Sequence, residues 1–326
     1  MQFGGCSIVY WYFFSQNNWH DGGNSTEQYA RTMSKNPCVY IHGGKSKKFL
    51  VYYQMQIMPQ IEENIRIELE RRDVKIAMFA RPTEAQFRYL NLAKQYGAKI
   101  IYRAVDDWAL WEDNQWYDRN IELKMIEAAD LAVASSLKLA KEFQIKYLPN
   151  ACQYIQKDVK RFNSEPVVGF LGDLDNQISS AKVDVDLIFY LARRFSNVKF
   201  ILIGSKKSWD FPSNVTVLNY MKWEEANEIL NNIDIGLIPY CGRDITGVQP
   251  TKSWEYMGYG IPQVARRYLS LPEHSSVRLY ESYEECGQVL EKLINSLNVV
   301  DRQEIINFAS QNTWAKRIEK LIEWLE

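Results

Sequence analysis

Short apolar runs bounded by turn residues alternate along this chain with stretches whose apolar residues recur every three or four positions, the pattern of βαβ units around a parallel sheet. The alternation occurs twice. In the first half it predicts strands at 7–14, 38–41, 75–79, 100–105, 131–134 and 146–148, with helices between them. Asn24-Ser-Thr-Glu27 reads as a capping box that opens the first helix, Glu27 reaching back to the Asn24 amide. A polar, charge-mixed stretch at 153–166 then reads as a linker. The pattern restarts with strands predicted at 167–171, 198–203, 215–218, 235–238 and 262–265, and helices at 183–195, 223–231 and 250–257. The amphipathic tail 303–324 predicts one long final helix. The fold class is therefore α/β, with two Rossmann-like domains at 1–152 and 153–302, and a C-terminal helix within 303–326 free to pack back on the first.

Composition narrows the function classes. The 39 basic and 40 acidic residues leave no overall basic field, so general nucleic-acid binding is not expected and an anionic ligand must be held locally. Five scattered cysteines without a C-x-x-C pair argue against a disulfide framework or a zinc site and fit a reducing cytoplasm. The start of the chain lacks the basic lead and cleavage site of a signal peptide, and no apolar stretch approaches the roughly 20 residues that span a bilayer. The expected location is cytoplasmic, at most peripheral at the inner face of a membrane.

Ligands of open α/β sheets bind beyond the carboxyl ends of the strands, where helix N-termini point. In the second half those ends carry Gly172-Asp173, Gly204-Ser205-Lys206-Lys207, Pro239-Tyr240 and Thr246-Gly-Val-Gln-Pro-Thr-Lys-Ser-Trp-Glu255. Pro250 suits a first helical turn, and Gly247 lets backbone approach a ligand closely. Thr251, Lys252 and Glu255 share one helix face by their spacing. Lys252 suits phosphate charge, and Glu255 suits a ribose diol. The bland alternative is a surface Lys252–Glu255 pair, disfavoured by the position after a strand ending in Pro-Tyr.

These residues carry a resemblance. Asp234-Ile-Gly-Leu-Ile-Pro-Tyr240 followed by Pro250-Thr-Lys-Ser-Trp-Glu-Tyr-Met-Gly-Tyr-Gly-Ile-Pro262 resembles the donor-site stretch of family 4-like GT-B glycosyltransferases, the group 1 glycosyl transferases. Val168-Gly-Phe-Leu-Gly-Asp-Leu-Asp175 is similar to the glycine loop opening their donor domain, Phe200 to Gly204 to its second strand, and Asp130 to Ser136 with Leu148-Pro-Asn150 to the end of their acceptor domain. The resemblance implies two Rossmann-like domains facing across a cleft, and a hexosyltransferase-like enzyme (EC 2.4) of polysaccharide biosynthesis. It would move a sugar from a UDP- or GDP-linked donor to a glycan, lipid-linked or other acceptor, without metal or other cofactor and with retention. Glu255 would hold the ribose, the Gly247-Val248 backbone and Lys252 the diphosphate, and Ser205 and Lys206 after Gly204 the base, with Gly172, Asp173, Tyr240 and Thr251 lining the donor site. Many relatives carry a sugar-contacting glutamate where this chain has Gly247, and an Arg and a Lys after the first glycine loop where it has Asp173. Arg243, Lys206, Lys207 and Lys252 are the cations available instead.

On the acceptor side, Asp106 and Asp107 follow the strand ending at Val105, where many relatives carry a histidine, and are the catalytic candidates. Capping the next helix is an equally good reading for either one. His20, in the loop with Gly22-Gly23, is a further candidate beside a structural role. Trp108 and Trp111, with Trp116, offer flat faces to a sugar, and their interleaved charges argue against full burial. Asp184-Val-Asp186 reads as a solvated helix face rather than a metal site, and the three dispersed histidines make no metal set. Lys45-Ser-Lys-Lys48 with Phe49, Tyr52 and Tyr53 suits an anionic membrane surface, although a solvated loop is the commoner fate of such a cluster. Three rival functions fit the same fold: a nucleotide-sugar epimerase, a catalytically silent partner subunit, and a sugar- or nucleotide-binding module without chemistry.

Overall fold

The computed structural model describes residues 2–3, 7–16, 25–43, 45, 49–73, 75–111, 114–175, 182–221, 223–242 and 244–326. The Asn24 half of the capping box and most of the 45–48 cluster lie outside them; Glu27 takes a salt bridge from Arg31 at 2.6 Å. The chain divides into two compact units. The first comprises Met1–Ala109, Asn114–Pro149 and Trp314–Glu326, and the second Leu110–Asp113 and Asn150–Thr313.

In the first unit a small antiparallel pair, β1 (Gln2–Phe3) and β2 (Ser7–Ile8), precedes the main sheet. That sheet contains β3 (Tyr10–Ser15), β4 (Cys38–His42), β5 (Leu50–Tyr52), β6 (Met55–Pro59), β7 (Lys75–Phe79), β8 (Lys99–Ala104), β9 (Leu131–Ala134) and β10 (Lys146–Tyr147). Its order is β10-β9-β8-β7-β3-β4-β6-β5, parallel throughout except for the terminal β5–β6 hairpin. Helices α1 (Ser25–Met33), α2 (Glu62–Glu70), α3 (Glu84–Gln95), α4 (Arg119–Ala128) and α5 (Leu137–Phe143) join the strands. Both faces of the central strand are covered, so Trp11, Tyr12, Phe13 and Phe14 are all buried, as a continuous apolar run in a parallel sheet requires. Phe14 stacks on Phe79 of the neighbouring strand at 4.3 Å.

The second unit contains β11 (Val167–Leu171), β12 (Lys182–Val183), α6 (Val185–Arg194), β13 (Lys199–Ile203), β14 (Val215–Leu218), α7 (Trp223–Leu230), β15 (Ile235–Ile238), β16 (Tyr240–Cys241), α8 (Thr251–Gly258), β17 (Gln263–Arg266), β18 (Val277–Tyr280), α9 (Tyr283–Asn295) and α10 (Arg302–Ser310). Its all-parallel sheet runs β14-β13-β11-β15-β17-β18, the doubly wound order of dinucleotide-binding folds. Counted from β3 with the antiparallel β5 left out, the first unit follows the same order with one further strand, so the sequence pattern repeats because the architecture does.

Three expectations need correction. The tail is two helices, α10 and α11 (Trp314–Leu325), because Gln311-Asn-Thr313 breaks the periodicity: the Asn312 amide turns back to Ala309 O, and the Asn312 carbonyl accepts from Cys152 N–H. α10 stays with the second unit, and α11 with the first, where Trp314 packs edge-on against Tyr29 of α1 at 4.8 Å. Asp184 is not a solvated residue. It is buried as the N-cap of α6, accepting from Leu187 N–H and from the Tyr283 hydroxyl, while Asp186 is exposed. The strands β5, β6 and β18 were not predicted: Gln56 and Pro59 interrupt β6, Arg278 interrupts β18, and the apolar run that holds β5 follows the 45–48 lysine cluster and reads with it as a loop.

Candidate donor site and carboxylate cluster

A doubly wound sheet opens its crevice where the winding reverses, which in the second unit is at the ends of β11 and β15. Gly172, after β11, has φ +151, and Gly204, after β13, has φ +109, conformations left to glycine. Their loops touch. A Cβ on Gly204 would stand 2.1 Å from Gly172 O, and one on Gly172 would stand 2.4 Å from Lys252 Nζ. Bare backbone is the only chain that fits there, and it lets the two loops pack on each other and under Lys252 at the strand ends.

The start of α8 is pinned beside them. Asn150 donates its amide side chain to Gln249 O and its backbone N–H to Gln249 Oε1. Pro250 is the N-cap and supplies no side-chain cap; Ser253 N–H turns back to Pro250 O, and the Thr251 and Lys252 amides have no acceptor within the helix. Thr246 donates through its N–H and its hydroxyl to Asp244 Oδ1, forming a turn with Gly247 at its tip. Val248 leaves the candidate set: its N–H donates to Ile245 O, its carbonyl accepts from Ser270 N–H, and its side chain is core.

Lys252 is buried, lying 4.3 Å over the Phe170 ring and donating to the Tyr240 hydroxyl. Loss of hydration lowers its pKa to about 7, against the pull of Asp173. Glu255 is also buried. Dehydration lifts its pKa to about 8, opposed by the backbone N–H groups of Gln153 and Tyr154, and its Oε2 has no hydrogen-bond partner among the described residues. The two residues share a helix but do not pair, which excludes the surface-pair reading. An unpartnered carboxyl oxygen at this depth costs stability unless something fills it.

Around them, sequence reasoning missed several residues. Asp175 accepts from Ser205 Oγ at 2.6 Å and from Lys206 N–H at 2.9 Å, locking the loop after β13 onto the loop after β11. Ser205 Oγ also accepts from Trp209 Nε1, so this hydroxyl is engaged within its own loop. Tyr220 donates to Asp173, and exposed Lys206 stands 5.5 Å over the Tyr220 ring. Tyr256 accepts from Leu171 N–H and donates to Gly169 O, tying α8 to β11. The strand-end rule finds the loops; it does not say which distant tyrosine or aspartate closes them. Thr251 is half-buried, and Arg243 lies outside the described residues.

In the first unit, Asp106 and Asp107 end β8 differently. Asp107 is committed to Lys138 at 2.5 Å, a residue carried by α5, which Ser136 caps. Asp106 keeps some exposed surface, yet its carboxyl is dehydrated enough that its pKa rises to about 7; Arg103 and Arg81 oppose this and Asp107 adds to it. Neither caps a helix, since only the 3-10 turn Trp108–Leu110 follows. Buried Arg103 is itself held by Ser25 Oγ and by the rings of Tyr29 and Trp314. Trp108 corrects the expectation of exposure: it is buried edge-on against Trp116 at 5.3 Å, and Arg81 sits 4.0 Å over the Trp116 ring. Trp111 is half-buried in the segment belonging to the second unit. His20, Gly22 and Gly23 lie outside the described residues. Among the described residues no three His, Cys, Asp or Glu side chains gather as a metal site. Two surface hollows, one at 159–166 with 294–302 and one over α6, share no residue with these loops.

No protein-family model and no curated protein matches the sequence. Solved structures do. HepE of Anabaena, in complex with UDP, matches at TM-score 0.66 and 13% identity over 98% of this chain and 99% of that one. The lipopolysaccharide outer core galactosyltransferase WaaB matches at 0.67 and 14%, over 97% and 99%. An alpha-glucosyltransferase in complex with UDP-glucose and DNA containing an abasic site matches at 0.66 and 12%, over 98% and 99%. At such identities the likeness speaks for architecture, and the chain has the GT-B glycosyltransferase fold, two Rossmann-like units in one polypeptide.

Proposed function

We propose that the protein is a glycosyltransferase that holds a UDP-linked sugar at the ends of β11 and β15 and transfers the sugar to a glycan or lipid-linked acceptor. The observation carrying this reading is Glu255 Oε2, buried without a partner one turn into a helix whose first amides are uncapped. A nucleoside diphosphate supplies what the two features lack: phosphate oxygens for the amides and a ribose hydroxyl for the carboxyl. Lys252 would recover its proton beside the diphosphate, stabilising the charge that develops as the leaving group departs. Asp106 is assigned to the acceptor's proton, since Asp107 is held by Lys138. UDP is preferred over GDP because HepE and the alpha-glucosyltransferase were solved with UDP or UDP-glucose. Metal independence, retention, a cytoplasmic location and peripheral membrane contact belong to the same proposal. Support for the location is that Cys38, Cys152, Cys241 and Cys286 are all free thiols.

A melting-temperature screen against UDP-, GDP-, ADP- and dTDP-linked sugars tests it, because a ligand of the native state raises the melting point by mass action. A UDP-sugar is expected to give the largest shift. That shift should shrink as pH rises from 7 to 9, since Lys252 loses its proton above about pH 7 and binding must restore it. The dependence should flatten in Lys252→Met. A response to none of the four sugars contradicts the proposal. Net release of UDP marks transfer, and conversion of the donor to an epimer marks the rival activity, for which a UDP-N-acetylglucosamine 2-epimerase of TM-score 0.52 is the structural precedent.

A further inference from the structure

The sheet of the first unit ends on the β5–β6 hairpin, and among the described residues nothing pairs with the outer side of β5. Proteins usually blunt such an edge with charge. Here Phe49, Val51 and Tyr53 are 60, 76 and 67% exposed. The register explains their direction: Leu50 pairs with Ile57, Val51 with Gln56 and Tyr52 with Met55. Ile57 and Met55 turn into the core, so Val51 and Gln56 turn out, and alternation puts Phe49 on the Val51 side. Tyr53 stands at the turn, at φ 53, edge-on to Tyr52.

Charge decides what covers this edge. From Gln28 to Ile61 the sequence holds Lys35, Lys45, Lys47 and Lys48, besides Arg31 whose charge is met by Glu27, and no aspartate or glutamate, in a chain whose net charge is −1. Lys35 and Lys45 are exposed. A second copy would bring like charges together along the paired edges. Nucleic acid would use the lysines and leave the aliphatic Val51 in water. An anionic bilayer satisfies both features, with apolar tips at the acyl boundary and ammonium groups among the headgroup phosphates. We infer that the β5–β6 hairpin docks this protein on an anionic lipid surface through Phe49, Val51 and Tyr53, with Lys35 and Lys45 on the headgroups. No described helix is long and apolar enough to cross a membrane, so the contact is interfacial. It rests on the peripheral membrane contact of the proposed function and names the surface that makes it, and vesicle binding tests it separately from sugar transfer.

Co-sedimentation of the full chain with phosphatidylcholine vesicles, with and without about a third phosphatidylglycerol, tests the inference. Binding is expected only to the anionic vesicles and should be released at about 0.5 M salt. Phe49→Ser with Val51→Ser should lower partitioning at least about tenfold, and Lys35→Ala and Lys45→Ala about fivefold each. All four side chains are exposed, so melting points should match the wild type; if the serine pair melts lower, Phe49→Gln alone decides. Equal binding to both vesicles, or variants that bind like wild type, overturns the inference. So does a dimer that Val51→Lys dissociates, or retention on DNA without any vesicle binding.

Discussion

Replacing Asp106 by asparagine is expected to slow sugar transfer about a thousandfold while leaving affinity for the UDP-sugar unchanged. The variant keeps the shape and the hydrogen-bonding reach of the side chain and removes only its capacity to hold or release a proton. Dehydration has raised this carboxyl to about 7, so in the wild type its ionised form appears as pH rises through neutrality. Activity should therefore climb to a plateau above about pH 7, and the residual activity of Asp106→Asn should lack that limb. Asp107→Asn should differ in kind. Breaking its ion pair with Lys138 loosens the start of α5, which should move the melting point more than the pH profile. Rates within twofold of wild type for Asp106→Asn would remove the residue from the chemistry.

Glu255→Ala should weaken UDP-sugar binding by about a hundredfold, the loss of a hydrogen-bonded contact in a dehydrated site. The same residue should be a burden to the fold. Its folded pKa of about 8 lies above the ordinary 4.5, so the native state keeps a proton that the unfolded chain releases, and stability falls as pH rises between those two values. Glu255→Gln, which needs no proton, should accordingly be more stable than wild type at pH 7 by about 3 kcal/mol, with the gain vanishing near pH 4. A residue whose neutral replacement strengthens the fold and whose truncation weakens binding is one retained for a ligand. Urea titration and calorimetric binding separate the two effects; unchanged affinity in Glu255→Ala would leave the buried carboxyl without a purpose.

Much of this was legible in the sequence because parallel strands buried on both faces write themselves as continuous apolar runs. Tyr10 to Phe14, Lys75 to Phe79 and Ile235 to Ile238 announce their strands in this way. Doubly wound topology then points to the strand ends as the candidate site, which is how Gly172, Gly204 and the start of α8 entered it. Less legible was everything decided by long-range pairing. Asp175 with Ser205, Tyr220 with Asp173 and Lys252 with Tyr240 join residues 30, 47 and 12 positions apart, and no local pattern encodes such partners. Burial was misjudged where charge stood nearby: Trp108 looked wet among aspartates, yet Arg81 and Trp116 close over it. Asp184 looked solvated because its neighbour Asp186 is, while its own carboxyl is consumed in capping α6. The tail misled through period alone, since Gln311-Asn-Thr313 keeps it polar without spoiling amphipathicity on either side.

The most direct measurement is a crystal structure of the protein with UDP. The diphosphate should lie within hydrogen-bond distance of the first amides of α8 and of Lys252 Nζ, with the ribose hydroxyls on Glu255 Oε2. Density for UDP elsewhere, with Glu255 still unpartnered, would contradict the assignment of the site.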